Sequence, residues 1–343
     1  MKYEGEKNYK HGSKEKLGVL ITNLGTPDKP TKYGLKTYLK EFLSDPRVIE
    51  VPKVIWQVIL RLIILNLRPK KVAKLYKSIW KKEGGPLLVM LQKQKNALKK
   101  SLQKKVKDLR IEIGMRYGNP SIESGLEKLR NQGCRKILIL PLYPQYCAAT
   151  TGSTFDKVTE ILRKWRWIPE LRFINNYYEE SMYIDCLVKS IKESWKKEGR
   201  SQKLIFSYHG VPKKYLLKGD PYHCFCQKTT RLVVEKMKLK EKDYITTFQS
   251  RFGPDEWLQP YTDKTLESLP QKGIKKIHIL SPGFSSDCLE TLEELEVENK
   301  EIFFSSGGEK YSYIKCLNDN PQHIKMLEFL ILNHLRGWIK IKT

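Results

Sequence analysis

Short apolar runs alternate with helical patterns along almost the whole chain. Six apolar runs end in loops that contain Gly or Pro, as buried strands of a parallel sheet do: 17–27, 111–118, 135–144, 203–212, 243–253 and 275–284. The segments between them repeat apolar residues at helical spacing, for example 88–107, 121–132, 155–166, 181–198 and 224–238. This alternation predicts an α/β fold with right-handed crossovers.

A weak internal repeat divides the pattern into two halves. The stretch "GCRKILILPLYP" from Gly133 matches "GIKKIHILSPGF" from Gly273, and each follows an acidic helical pattern. Each half also begins with an apolar strand that turns at Gly-x-Pro, in "NLGTP" and "YHGVP". We therefore predict two similar α/β units with a cleft between them, and a site in the loops at the carboxyl ends of the strands.

Residues 51–71 are unusually apolar, although Lys53 and Arg61 interrupt them and the run is short for a membrane span. One helical stripe contains Val51, Val54, Ile55, Val58, Ile59, Leu62 and Ile63, while Trp56, Leu60, Ile64 and Leu67 fall outside it. A helix that is apolar on most sides is buried in a core, or it meets lipid or a large apolar ligand. The pattern leaves both alternatives open.

The formal net charge of +26 comes from 64 cationic side chains, of which only 14 are arginines. The lysines are spread along the chain, which favours solvated lysine-rich faces over a surface that attracts phosphates or anionic lipid. No basic stripe or binding motif accompanies the charge, so we expect no nucleic-acid partner. The seven scattered cysteines and the polar start without an apolar h-region predict a reducing, cytosolic location.

Carboxylates are concentrated in one stretch of this basic chain, residues 281–301. At helical spacing Asp287, Glu290, Glu294 and Glu298 share one face. Like charges in such a row repel, and a solvated acidic helix is the simplest interpretation. The alternative is a row of carboxylates that faces a cleft, where it binds a cation or relays protons. The row follows directly on a predicted strand end, which is where a site is expected.

His209 lies at another predicted strand end, in "FSYHGVP". A lone His is most often structural, but an apolar strand and a Gly-Pro turn would hold this imidazole at a cleft, with a pKa near working pH. An imidazole that faces a carboxylate suits a transient divalent metal and has too few ligands for structural zinc. The "YHCFCQKTT" stretch lacks the usual Cys spacing and a second pair, so we expect no zinc there.

Aromatic and apolar residues gather in the same predicted loops. Leu24, Tyr117, Tyr143 and Phe284 would together line a flat apolar pocket, and Arg116 at its rim could pair with ligand carboxylates. Such residues can equally be caps of the core. The chain contains neither G-x-G-x-x-G nor a Walker A motif, so no nucleotide cofactor is implied.

These motifs resemble those of the ferrochelatases, which insert ferrous iron into protoporphyrin IX to make protohaem. The resemblance runs from about residue 17 to about residue 330 and is closest to the proteobacterial branch. It is carried by co-linear segments that include "NLGTPDKPT", "GMRYGNPSIES", "LPLYPQYCAATTGSTFD", "SYHGVP", "TFQSRFGPDEWLQPYTD" and "SPGFSSDCLETLEELEVEN".

The resemblance implies two Rossmann-like, doubly wound domains, 17–175 and 176–320, with the porphyrin in the cleft between them. Residues 1–16 match no known pattern, and a disordered tail is one expectation for them. A helix in 321–343 is expected to pack back on the body of the protein. Residues 48–68 correspond to the lip of the active site, of which 51–67 are expected to contact the inner face of the membrane peripherally.

The resemblance also implies roles for single residues. His209 and Glu290 would carry the metal and proton chemistry, and Asp287, Glu294 and Glu298 would form a route for metal or protons. Which of His209 and Glu290 delivers iron stays open. Only Cys316 lies beyond Cys288, so we expect no [2Fe–2S] cluster and no tightly bound cofactor, with Fe²⁺ as a substrate.

Three alternatives remain beside this interpretation. A chelatase of the same fold could use coproporphyrin III or another metal, such as cobalt. A basic nucleic-acid-binding protein would bind DNA with a steep salt dependence. A two-metal hydrolase that used the acidic row would hold its metal through dialysis.

Overall fold

The computed structural model describes residues 3–6 and 9–339. These residues form two compact units. Unit 1 contains the described residues up to Leu142, the segment Ala148–Asn176 and the described residues from Ile324 onward. Unit 2 contains Tyr143–Cys147 and Tyr177–His323.

Each unit is built around a parallel four-stranded sheet. The strands of unit 1 are β1 (Lys16–Thr26), β2 (Leu109–Gly118), β3 (Cys134–Pro141) and β4 (Glu170–Phe173), in the order β2-β1-β3-β4. The strands of unit 2 are β5 (Lys203–His209), β6 (Tyr244–Gln249), β7 (Lys276–Leu280) and β8 (Lys310–Ile314), in the order β6-β5-β7-β8. The two sheets therefore share one topology, and the prediction of two similar Rossmann-like units is confirmed.

The strand order of each sheet changes direction once, between β1 and β3 in unit 1 and between β5 and β7 in unit 2. In an open parallel sheet the crossovers on either side of this point lead to opposite faces. In folds of this type a crevice opens at the carboxyl ends of these two strands, and ligands bind in it.

The helices connect the strands as crossovers. Unit 1 contains α1 (Lys32–Leu43), α2 (Lys53–Ile59), α3 (Leu65–Ile79), α4 (Pro86–Leu102), α5 (Ile122–Asn131) and α6 (Ser153–Leu162), with π-helical turns at Leu60–Ile64 and Ala148–Gly152. Unit 2 contains α7 (Ser181–Glu198), α8 (Lys213–Leu217), α9 (Tyr222–Met237), α10 (Thr262–Ser268) and α11 (Asn299–Ser305), with a π-helical segment at Glu290–Glu298 and 3₁₀ turns at Glu241–Asp243 and Pro270–Lys272. The last helix, α12 (Pro321–His334), leads from unit 2 into unit 1.

The six predicted strands are β1 to β3 of unit 1 and β5 to β7 of unit 2. The pattern missed β4 and β8, which are short strands of four and five residues at one edge of each sheet. Their sequences, "ELRF" and "KYSYI", mix polar and apolar positions. Neither sequence therefore contains the continuous apolar run that marks a central strand.

The apolar segment 51–67 folds as α2, a π-helical turn and the start of α3, and most of its predicted stripe faces outward. Val54, Leu62 and Leu67 are about 70–80% exposed, whereas Leu60 and Leu65 are buried. The indole nitrogen of Trp56 donates to the carbonyl of Leu43 at the end of α1 (2.6 Å), which attaches the segment to unit 1. Core packing therefore does not explain the apolar stripe.

Described residues near both ends of the chain bond to other parts of unit 1. The backbone of Glu4 pairs with that of Lys164 and Arg166, and Glu6 forms a two-pronged ion pair with Arg135 (2.7 and 2.8 Å). In α12, Glu328 accepts a hydrogen bond from Ser101 of α4 (2.6 Å). Among the described residues, no helix combines the length and the apolar character that crossing a bilayer requires.

Candidate active site

The candidate site of unit 2 lies at the point where its strand order changes direction. His209 is the last residue of β5, and the loop that leads to Glu290 follows the last residue of β7. Gly210 makes the turn after β5 possible, because a Cβ there would lie 2.8 Å from the carbonyl oxygen of Gln249. The amide of Gly210 instead donates to that oxygen (2.7 Å), which ties the turn to the end of β6.

The half-buried imidazole of His209 has one nitrogen engaged by the backbone. Its Nδ1 lies 2.6 Å from the carbonyl oxygen of Gly210, so Nδ1 carries the proton of the neutral ring. Nε2 then keeps its lone pair, and this atom can accept a proton or bind a metal. The ring of Phe284 lies next to it, with 6.3 Å between the two ring centroids.

Glu290 begins a nine-residue π-helical segment, a rare form that often occurs at functional sites. Two buried side chains fix this segment on the sheet. Leu295 packs into the apolar core with Ile205 and Ile277, and the buried hydroxyl of Thr291 accepts a hydrogen bond from the amide of Cys288 (3.0 Å). Glu290 itself is half-buried and lies beside the thiol of Cys288, whose pKa burial raises well above the ordinary value.

Asp287 precedes the π-helical segment, and its carboxylate is occupied by neutral donors. It accepts hydrogen bonds from the hydroxyl of Tyr313 (2.7 Å), the side-chain amide of Asn318 (2.7 Å), the amide of Cys316 and the hydroxyl of Thr291 (both 3.2 Å). The backbone amide of Asp287 donates to Asn318 in return (2.9 Å). The spacing rule that grouped Asp287 with Glu290 assumed a continuous α-helix, and the structure instead gives Asp287 an anchoring position at the start of the segment.

Glu294 and Glu298 follow Glu290 on the π-helical segment, and they differ in how far they are exposed to solvent. Burial raises the pKa of Glu294 to about 7, a hydrogen bond from Ser250 opposes this shift, and the charges of Glu290 and Glu298 reinforce it. Glu298 is exposed at the end of the segment. A carboxyl group with a pKa near 7 can both accept and release protons at neutral pH, so Glu294 is chemically suited to proton transfer.

Gln249 and Ser250, which the sequence analysis did not single out, join these elements. The side-chain nitrogen of Gln249 donates to the carbonyl of Glu290 (2.9 Å) and lies 3.5 Å from the Glu294 carboxylate, to which Ser250 also donates. Ser250 adopts a left-handed backbone conformation (φ 66°), which is uncommon for a residue other than glycine. The signal that could have found both residues is their place at the end of the predicted strand 243–253.

The predicted pocket residues are divided between the two units. Tyr143 and Phe284 belong to unit 2 and are half-buried, and Leu24 lies in β1 of unit 1, also half-buried. Tyr117 differs from this expectation, because it is completely buried inside unit 1 and burial raises the pKa of its hydroxyl far above the ordinary value. Its ring therefore fills the interior of unit 1 and does not line an open surface.

Arg116 is also engaged within unit 1. Its guanidinium forms an ion pair with the buried Asp45 and donates to the hydroxyl (2.6 Å) and carbonyl (3.0 Å) of Ser153. Tyr117 donates to the same carboxylate of Asp45 (2.8 Å). The guanidinium is thus already paired with an internal carboxylate, whereas the sequence analysis assigned it to a carboxylate of the ligand.

The cysteines show no arrangement for a resident metal. In the "YHCFCQKTT" stretch, Cys224 is exposed on α9 and Cys226 is buried. Within the part of the chain that the structure describes, no group of three or more His, Cys, Asp or Glu side chains is placed to hold a metal ion. A His and a carboxylate at the carboxyl ends of β5 and β7 fit a weak, passing contact with a metal better than a permanent site.

Comparisons with known proteins identify the family of the chain. A sequence profile described as ferrochelatase matches residues 16–335. Ferrochelatases from Pseudoalteromonas atlantica and Thioalkalivibrio sulfidiphilus are 55% and 52% identical to the chain, over 98% of it and over 94% and 92% of their own lengths. The ferrochelatase of Alcanivorax borkumensis is 49% identical over 99% of the chain and its own full length.

Solved structures with a similar fold are more distant in sequence. SirB from Bacillus subtilis, in a structure with Fe³⁺, superposes with a TM-score of 0.56 at 12% identity, over 94% of this chain and 97% of that one. A cobalt complex of a SirB sirohydrochlorin chelatase gives 0.52 at 12% identity, over 94% of both chains. At this identity the likeness establishes the fold alone. The profile match and the full-length relatives go further, and they establish that the chain belongs to the ferrochelatase family, as its motifs predicted.

Proposed function

We propose that this chain inserts Fe²⁺ into protoporphyrin IX to form protohaem, with release of two protons, as the last step of haem synthesis. Family membership supports the reaction. The single observation that carries the site is the position of Gln249. It lies beside His209 in the register of β5 and β6, and its side-chain nitrogen donates to the carbonyl of Glu290 and lies 3.5 Å from the Glu294 carboxylate.

The roles follow from the geometry of each group. The Nε2 lone pair of His209 and the carboxylate of Glu290 are the two ligands that receive iron, and both can accept a pyrrole proton. Two protein ligands bind Fe²⁺ weakly, so the metal can be passed on to the four porphyrin nitrogens. A permanent site with three or four ligands would instead retain the metal.

The two protons need a path away from the ring. Glu294 is placed to take a proton from Glu290 because its pKa is raised to about 7, and the exposed Glu298 would pass it to solvent. The same carboxylates attract a dication before it reaches the ring. We assign Asp287 a positioning role, because its four hydrogen bonds hold the start of the π-helical segment.

An anaerobic insertion assay tests this function. Purified protein is mixed with ferrous iron and protoporphyrin IX, and the free-base absorption bands are followed as the haem bands replace them. We expect many turnovers per enzyme with protoporphyrin IX and much slower insertion with coproporphyrin III. Equal or faster turnover with coproporphyrin III, or with Co²⁺ in place of Fe²⁺, would contradict the proposed substrates, and a folded protein that binds porphyrin without turnover would contradict the reaction.

We further propose that the protein acts in the cytoplasm and contacts the inner face of the membrane through residues 51–67. Seven exposed apolar side chains support this contact: Val51, Val54, Ile55, Val58, Leu62, Ile63 and Leu67. Residues 51–82 also contain nine lysines and arginines and no acidic residue, which suits an anionic lipid surface.

Vesicle flotation tests the membrane contact. The variant with Val54→Ser and Leu67→Ser should float with anionic vesicles at least about 10-fold less than the unchanged protein, because two exposed apolar side chains no longer enter the lipid. The matched control carries Ile168→Ser and Leu217→Ser, which are also more than half exposed but lie outside the segment. Equal flotation of both variants would show that residues 51–67 are not the contact.

A further inference from the structure

We infer that Gln249 is a positioning residue that sets the separation between His209 and Glu290. The inference rests on the proposed function, because these two residues are the proposed iron ligands. Gln249 is the last residue of β6, its side chain is only 3% exposed, and it lies beside His209 in the register of β5 and β6. The side chain of Gln249 is thus almost completely enclosed by the protein.

The side chain of Gln249 joins two separate elements of the site. Its Oε1 accepts a hydrogen bond from Ser207 of β5 (2.6 Å), two residues before His209. Its Nε2 donates to the carbonyl oxygen of Glu290 (2.9 Å). One amide group therefore connects the strand that ends in His209 to the first residue of the π-helical segment.

The direction of this amide is fixed by its neighbours. Ser207 is buried, and its hydroxyl lies 2.8 Å from that of Thr262, which in turn donates to Thr247 (2.9 Å). The carbonyl oxygen of Glu290 can only accept, so the amide cannot turn over without placing its own oxygen against that oxygen. The NH₂ group must then face Glu290 and the Glu294 carboxylate.

A fixed separation matters more here than at a permanent metal site. Only two weak ligands receive the iron, and both must point at the same ring centre for the transfer to occur. A displacement of about 1 Å in such a site typically costs about 10²-fold in rate. Asp287 anchors the loop before the segment, and the Gln249 amide adds a brace from the sheet to the carbonyl of Glu290 itself.

The experiment compares Gln249→Met with Thr247→Val. Gln249→Met keeps the length and volume of the side chain and removes both hydrogen bonds. We expect its kcat for iron insertion to fall about 10²-fold, while the KM for protoporphyrin IX changes less than about 3-fold. Thr247→Val cuts the same buried chain at its far end, away from Gln249, and should leave kcat within about 2-fold of the unchanged protein.

Ser207→Ala and Gln249→Glu complete the series. Ser207→Ala frees the amide without removing it, so kcat should fall less than in Gln249→Met. Gln249→Glu keeps the size of the side chain but replaces the donor with an acceptor facing the Glu290 carbonyl, so it should not restore activity. If Gln249→Met fails to fold, these two variants still test the inference.

The outcomes separate this inference from the proposed function. Absence of turnover in the unchanged protein contradicts the function itself. Normal turnover in the unchanged protein together with near-normal kcat in Gln249→Met, or with an equal loss of kcat in Thr247→Val, contradicts the positioning role alone. If Gln249→Met does not fold, near-normal kcat in Gln249→Glu contradicts it in the same way.

Discussion

The two sheets have the same strand order, but among the described residues a buried carboxylate near their carboxyl ends is neutralised by a cation only in unit 1. In unit 1 the buried carboxylate of Asp45 is neutralised by Arg116 and accepts further hydrogen bonds from Tyr117 and Ser153. In unit 2, no lysine or arginine of the described chain forms an ion pair with Glu290 or Glu294. The difference shows how one topology supplies both a closed structural cluster and an open chemical site.

The presence or absence of a cationic partner changes the pKa of a buried carboxyl group. A paired, buried carboxylate stays charged and rigid, whereas a buried carboxyl without a cation shifts towards neutrality. Burial moves the pKa of Glu294 to about 7 for this reason. Glu294 of unit 2 can therefore exchange protons near neutral pH, whereas the Asp45 carboxylate of unit 1 holds Arg116, Tyr117 and Ser153 in place.

Removal of the candidate ligands should have the largest effect. We expect His209→Ala and Glu290→Ala each to lower kcat for iron insertion at least about 10²-fold, because a ligand and proton acceptor is lost. Porphyrin binding, followed by fluorescence quenching, should persist. His11→Ala and Glu301→Gln at exposed positions serve as controls, and a variant of His209 or Glu290 with near-normal rates would remove that residue from the site.

Breaking the cluster of unit 1 should cost stability. Arg116→Met leaves the buried Asp45 without its cation, so the free energy of unfolding should fall by about 3 kcal/mol, as measured by urea denaturation. The exposed pair of Arg47 with Asp156 is the control, and Arg47→Met should cost less than about 1 kcal/mol. Equal costs for the two variants would mean that the cluster is not the closed, stabilising unit that we describe.

The stability of unit 2 should depend on the ionisation of Glu294. Its pKa in the folded protein is about 7 against an ordinary 4.5. Its contribution to the free energy of unfolding is therefore fully present below pH 4.5 and is lost as the pH rises through 7. Glu294→Gln removes this loss. The unfolding free energy of the variant minus that of the unchanged protein should therefore rise by about 2–3 kcal/mol from pH 5 to pH 8, as measured by urea denaturation.

The exposed Glu301 provides the control for that measurement. Glu301→Gln should leave the pH dependence of the unfolding free energy unchanged, because an exposed carboxyl is solvated in both the folded and the unfolded protein. If Glu294→Gln gives the same slope as the unchanged protein, burial does not perturb this carboxyl as the structure indicates.

A smaller pH effect of the opposite sign should come from His323. Burial lowers the pKa of this imidazole to about 4 from an ordinary 6.5. The contribution of His323 to the free energy of unfolding is therefore fully present above pH 6.5 and is lost as the pH falls through 4. Between pH 7 and pH 5 the loss should be about 2 kcal/mol. In His323→Gln this slope should disappear, whereas the exposed His11→Gln should retain it; a slope that persists in His323→Gln would assign it to another group.

The sequence was most informative where burial is continuous or a motif is long. The six predicted strands are mostly apolar, so they were visible in the pattern, and the internal repeat revealed two similar units. His209 and Glu290 stood out because each lies at or after a predicted strand end. The short strands β4 and β8 escaped, since their few residues mix polar and apolar positions.

Other features depended on contacts between distant parts of the chain. The spacing of residues 287–298 predicted one α-helical row, but the segment is π-helical from Glu290, and Asp287 binds the region of Tyr313 and Asn318 instead. Arg116 and Tyr117 were assigned to a ligand pocket because nothing in their neighbourhood in sequence announces Asp45, some seventy residues earlier.

The sequence by itself determined the two α/β units and the family, and it nominated His209 and Glu290 as candidate ligands, because local periodicity and contiguous motifs are properties of the chain. Only the tertiary structure decided which polar groups are paired and which are left to titrate. Pairing depends on burial and on partners brought from far along the chain, as with Gln249 beside Glu290 or Arg116 on Asp45. Local patterns contain no information about burial or about distant partners, and these two properties decide which carboxylates are neutralised by a cation and which can exchange protons.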